Sequence, residues 1–101
     1  MEIQLLKSGE WWLADPSNKY FKAAEKALES VWKQKVVYSR EGGTIPITNR
    51  LEKTFNAPAI HFPISQSTDS QHLADERIRL ENLIKGKDSI KQFFINLAEC
   101  V

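Results

Sequence analysis

At 101 residues, 42% apolar and 27% charged, the chain is long enough for one domain and too short for two. Fourteen Lys plus Arg against thirteen Asp plus Glu leave a formal charge of +1, so no global field points to nucleic acid or an anionic membrane. The single Cys100 cannot make an internal disulfide, and the opening MEIQLLKSGEWW lacks a signal peptide's basic start and apolar core. No stretch approaches the ~20 apolar residues of a membrane span, and the expectation is a soluble, cytoplasmic chain.

In chain order, EIQLL reads as a short strand or an irregular start. Asp15, Pro16, Ser17 and Asn18 supply turn and N-cap chemistry, after which Tyr20, Phe21, Ala24, Leu28, Val31 and Trp32 recur at helical spacing. Val36, Val37 and Tyr38 read as a short strand running into the glycine-bearing SREGGT. Pro46 suits a helix's first turn, and Ile47, Leu51 and Phe55 share one face of ITNRLEKTF. The apolar run APAIHFPIS has the length of a buried strand, and its C-terminal end leads into the polar loop QSTDSQHLADE. Ile90, Phe93, Phe94, Leu97 and Val101 then mark a last amphipathic helix. Helix, strand, loop, helix, strand, loop and helix in that order give an α/β class, in which function gathers in loops beyond strand ends.

Two loops meet that description. In REGGTIP, Gly42 and Gly43 allow positive φ and close approach of a ligand to backbone N–H groups beside the Thr44 hydroxyl, with a helix N-terminus directly after. A tight turn with an Arg40–Glu41 charge pair explains the same residues. In QSTDSQHLADE, His72 stands among Asp69, Asp75 and Glu76, but zinc takes about three or four protein ligands. Neither a second histidine at helical spacing nor a CxxC pair is present, so the residues alone favour a solvated polar loop. His61, inside the apolar run, reads as a sheet or core histidine with one satisfied hydrogen bond. Trp11, Trp12 and Trp32 read as packing, and Cys100 lacks an evident basic partner that would make it a nucleophile.

Taken together, WWLADPSNKYF, YSREGGTIPITNRLEKTF and NAPAIHFPISQSTDSQHLADERIRLENLIKG resemble a known family over nearly the whole chain. It is the di-zinc metallopeptidase family of Cys-Gly dipeptidases, carnosinases, aminoacylases and glutamate carboxypeptidases, and the stretch resembled is the C-terminal part of the catalytic domain. The likeness is nearest to the dipeptidase branch and to the related fungal subunit that degrades glutathione.

The resemblance implies that residues 1–101 are a single partial domain, the end of a three-layer αβα catalytic domain with about three helices on a small partial sheet. It implies His72 as a zinc ligand and Thr44 as a contact to substrate near its carboxylate. Gly43 would offer its backbone in the same loop, and Arg40 would order that loop. Glu76 matches the acid closing the family's His-x-x-Asn-Glu run, while Ser65, Gln71, Asp75 and Val37 stand where glycine, alanine, asparagine and proline are usual.

The family's His-x-Asp motif, its Glu-Glu pair and its lid domain have no counterpart here. The implied family function is metal-dependent hydrolysis of dipeptides or short peptides, including glutathione breakdown, with two zinc ions per complete site and manganese as the alternative metal. The chain alone is expected to be inactive, and to be marginally stable, oligomeric or in need of a partner. A non-catalytic module that pairs with a full-length family member is the alternative.

Overall fold

The computed structural model describes residues 1, 3–5, 8–43 and 45–100. Three α-helices carry the structure: α1 (Lys19–Trp32), α2 (Pro46–Phe55) and α3 (Leu80–Cys100), with one 3₁₀ turn at Ser67–Asp69 between α2 and α3. Helices α1 and α2 begin or end where their sequences supply the means. The Asn18 carboxamide oxygen accepts from the backbone N–H groups of Tyr20 and Phe21, both at 3.0 Å, and satisfies two donors that α1 cannot pair internally. Asp15 fixes the approach by accepting from the Ser17 N–H at 2.9 Å and the Ser17 hydroxyl at 2.6 Å. Pro46 opens α2, and Asn56 closes it in the left-handed conformation that asparagine tolerates well.

The core lies between α1 and α3. On α1, Phe21, Ala23, Ala24 and Ala27 are buried. On α3 the buried positions are Asn82, Gly86 and Ser89, so small and polar residues line the interior. Ile90 and Phe94, expected on the apolar face of α3, are exposed instead, and Val101 lies outside the described residues. Asn96 crosses to α1 and donates to the Ala23 carbonyl at 3.0 Å, while the Lys85 ammonium sits over the Trp32 ring, 5.1 Å from its centroid.

The chain after the second apolar run also packs on α3. The Phe62 and Phe93 rings lie 5.6 Å apart, and a methyl group built on Gly86 would fall 2.5 Å from Ile64 Cγ2. Only a glycine lets this helix approach Ile64 so closely.

The small partial sheet expected from the sequence is not formed among the described residues. Residues 36–38 run beside α1: the Val36 N–H donates to Glu29 and the Tyr38 hydroxyl to Glu25, both at 3.0 Å. The Ala59 N–H donates to the Glu52 carboxylate at 3.3 Å rather than to a neighbouring strand. A strand exists only through its ladder, and a βαβ arrangement takes ladder partners from other parts of the chain. The start expected as EIQLL is also without strand where described; Glu2 and Leu6 lie outside the described residues.

With a radius of gyration of 16.3 Å against about 13 Å for a compact domain of this length, the molecule is open, and its extents are 54 × 37 × 20 Å.

Candidate functional site

The first candidate loop presents Arg40, Glu41, Gly42 and Gly43 to solvent. Neither glycine has positive φ, and a Cβ added to either would meet nothing within 4 Å. The positive φ expected of these glycines is absent from this conformation. Thr44, expected to contact substrate, lies outside the described residues. The helix expected directly after the loop is present, with Pro46 at its start and no side-chain cap at Ile45.

The second loop is built more tightly. Gln66, Ser67, Thr68 and Asp69 form a capped 3₁₀ turn in which the Asp69 N–H donates to the Gln66 carbonyl at 3.0 Å. The Gln66 N–H donates back to Asp69 Oδ2 at 2.9 Å. Asp69 is 1% exposed, and its Oδ1 has no hydrogen-bond partner among the described residues. The Asp69 carbonyl accepts from the Arg77 N–H at 2.9 Å, and the Arg77 guanidinium donates to the Thr68 carbonyl at 3.0 Å. Residues 70–76 are thus closed at their base by one buried carboxylate residue and one arginine.

His72 sits inside this closed loop, exposed and at φ 62°. The Leu73 N–H donates to the Ser70 carbonyl at 3.0 Å, which puts His72 at the third position of a β-turn, where a type II turn demands positive φ. Ser70 (φ 55°) and Asp75 (φ 60°) are left-handed too. Asp75 therefore serves the backbone, as the asparagine it replaces would. Of the other departures from the family pattern, Ser65 and Gln71 meet each other: the Gln71 carboxamide donates to the Ser65 hydroxyl at 2.7 Å.

The loop is anchored to α3 through Gln66. Its side-chain amide meets the Thr68 hydroxyl at 2.7 Å and the buried Asn82 at 3.2 Å, in the orientation that also accepts from the Arg79 guanidinium at 2.9 Å.

A different group of residues docks α2. His61 Nε2 lies 2.7 Å from the hydroxyl of the buried Thr48, and the Trp12 ring leans on the imidazole at 4.8 Å. The Trp12 indole N–H and the Ala59 N–H both donate to Glu52. His61 thus has its one expected hydrogen bond, but it is neither a core nor a sheet histidine: it is exposed and lies in no strand. Trp11, read as packing, is 81% exposed, whereas Trp12 and Trp32 are half-buried. The roles of Thr48 and Glu52 had no signal in the sequence, since both pair with residues far from them along the chain. Asp69 did have one: an acid three residues after a turn-starting Gln66. Beside this group, Ile45, Ile47, Leu51 and Phe62 line an open groove of about 440 Å³.

Among the described residues, no three His, Cys, Asp or Glu side chains come together as a metal site. No hydrogen bond or ion pair among the described residues links Arg40 or Gly43 to His72. No helix among the described residues is long and apolar enough to cross a membrane.

No family model matches the chain. The probable di- and tripeptidase DUG2 of Saccharomyces cerevisiae is 39% identical to it over 97 residues, which are 96% of this chain and 11% of that protein. The Cys-Gly metallodipeptidase DUG1 of Candida albicans is 35% identical over 84% of this chain and 18% of its own length. A solved structure of the dipeptidase Dug1p of Saccharomyces cerevisiae matches with a TM-score of 0.85 at 30% identity, over 90% of this chain and 19% of that one. The chain spans less than a fifth of each of these relatives.

Proposed function

Because this chain belongs to the family of Cys-Gly metallodipeptidases and carnosinases and fits a C-terminal part of their length, we propose that it is one partial domain of a dipeptide-hydrolysing, metal-dependent peptidase, inactive by itself. The observation that carries this reading is the loop of residues 66–77, which exposes His72 at φ 62° on a base closed by Asp69 and Arg77.

In the proposed role His72 donates one neutral ring nitrogen to a metal shell whose other ligands come from outside this chain, with zinc the expected metal and manganese the alternative. Thr44 and the Gly43 backbone orient the carboxylate of a dipeptide or short peptide, with Arg40 ordering their loop. The relatives' names point to Cys-Gly and to di- and tripeptides, so cytoplasmic glutathione breakdown is the proposed setting. The family's partial sheet forms when residues 36–38 and 59–62 gain ladder partners from the rest of the domain.

Two measurements test this. The purified chain is expected to leave Cys-Gly uncleaved with added zinc or manganese and to retain no stoichiometric metal after dialysis. Co-expression with the preceding portion of a related dipeptidase should yield a complex that holds metal and hydrolyses dipeptides, and His72→Ala should empty it. Hydrolysis by the chain alone, or a complex indifferent to His72, would refute the reading. A second reading, a non-catalytic module that pairs with a full-length family member, is supported by the exposed Ile45, Ile47 and Leu51. It predicts stable co-purification without any gain in hydrolysis.

A further inference from the structure

We infer that Asp69 is a positioning residue for His72: its buried carboxylate fixes the backbone from which the imidazole projects. The inference rests on the proposed role of His72 as a metal ligand and goes beyond it.

Three observations converge. Asp69 is 1% exposed in a loop whose residues 71–80 are all exposed, so the turn buries one side chain and that one is an acid. Burying a carboxylate is unfavourable unless it is hydrogen-bonded, and Oδ2 accepts from the Gln66 N–H at 2.9 Å while Oδ1 finds no partner among the described residues. A fold that keeps a half-satisfied carboxylate inside must gain elsewhere. The gain is visible in the backbone of the same residue: its N–H donates to Gln66 and its carbonyl accepts from Arg77, so both ends of the loop meet at Asp69.

The second observation is what the closed loop holds. Ser70, His72 and Asp75 have φ of 55°, 62° and 60°, the left-handed region that L-residues adopt uncommonly. Surroundings must impose such angles, and strained residues of this kind cluster where a side chain has to be aimed. The third is a tether beside the histidine: Gln71, its immediate neighbour, is held to Ser65 across the mouth of the loop at 2.7 Å. Ligand orientation by supporting residues is worth about 10- to 100-fold in metal affinity where it has been altered by mutation.

The experiment uses the full chain and requires no metal. In wild type, NMR should show the coupling constant and NOE pattern of a left-handed residue at His72. Slowed amide exchange is expected at Gln66 and Arg77. Asp69→Ala should speed exchange at both amides about tenfold or more. It should also move the His72 coupling toward the averaged value of a mobile loop, with the α1 and α3 amides unchanged. Asp69→Asn keeps a weaker, neutral acceptor for the Gln66 N–H and should shift the same sites in the same direction by less.

Unchanged His72 coupling in Asp69→Ala overturns the inference. If that variant loses the helix pairing as well, Asp69→Asn decides: local change at Gln66, His72 and Arg77 upholds the inference, and none overturns it. In the co-expressed complex, Asp69→Ala should weaken metal binding about 10-fold or more, with Asp69→Asn recovering most of it. A wild-type complex that takes up no metal defeats the functional reading instead, since the NMR outcome on the free chain stands apart from it.

Discussion

Helices α1 and α2 are both amphipathic and end in opposite states. Along α1, Phe21, Ala23, Ala24 and Ala27 are buried, and α3 answers with Gly86 and Ser89. Along α2, Ile47, Leu51 and Phe55 share a face, as their spacing requires, yet they are 51%, 44% and 71% exposed, and Thr48 is the buried residue. Amphipathic patterning makes a helix able to pack, but burial also needs a partner. Among the described residues α1 has α3 as its partner, and the Ile47–Leu51–Phe55 face of α2 has no cover.

The α1–α3 pairing is most sensitive at Phe21. Phe21→Ala removes the largest buried apolar side chain of the pair and should cost about 3 kcal/mol. Loss of a cooperative transition in urea, followed by circular dichroism, is the expected result. Gly86→Val drives a branched side chain into Ile64 and should cost about 2 kcal/mol. Combining it with Ile64→Ala should cost less than the sum of the two single changes if that contact is responsible. Asn18→Ala leaves the Tyr20 and Phe21 N–H groups without their acceptor, for an expected loss of about 1 kcal/mol at the start of α1.

Acidification probes the same helix more gently. The Lys22 ammonium, 2.7 Å away, and then the Tyr38 hydroxyl hold the Glu25 carboxyl below its ordinary value of 4.5. Burial, and then the Glu25 carboxylate, push the Tyr38 hydroxyl above its ordinary value of 10.0. For a lowered acid the contribution is present above the unfolded value and disappears as pH falls through the folded one. The Glu25–Tyr38 contact should therefore loosen below pH 4.5, and Glu25→Gln should abolish that dependence of the Tyr38 signal. Leu51→Ala, on the exposed face of α2, sharpens the contrast. It should change the stability of the free chain by less than about 0.5 kcal/mol. In a complex that covers this face it should weaken assembly measurably, as a concentration-dependent shift in sedimentation shows.

Much of the local structure was legible. Asn18 as a cap, Pro46 as a first helical residue and the face of α1 all follow from rules that operate within one or two turns of chain. The loops were legible in part. The stretch around His72 is the polar loop expected, but Asp69 is buried in it rather than solvated, and both acids hold or shape backbone, Asp69 through Gln66 and Arg77 and Asp75 through φ 60°. Where sequence reading departed from the structure, the missing information lay outside the segment. Residues 36–38 and 59–62 have strand composition without ladder partners. The apolar pattern of α3 named Ile90 and Phe94, but the face turned inward is the one on which Gly86 admits Ile64. His61 and Thr48 found each other only when α2 folded back on the second apolar run.

Helix starts, turn residues and the kinship that singles out His72 can be read from neighbouring residues, because capping, periodicity and motif are local properties. Which apolar faces are covered, and how His72 is held, emerge from the tertiary fold. Those outcomes depend on close approach between distant segments: Asp69 with Gln66 and Arg77 at the base of a strained loop, Gly86 with Ile64 at the core, and for α2 an apolar face with no covering segment among the described residues.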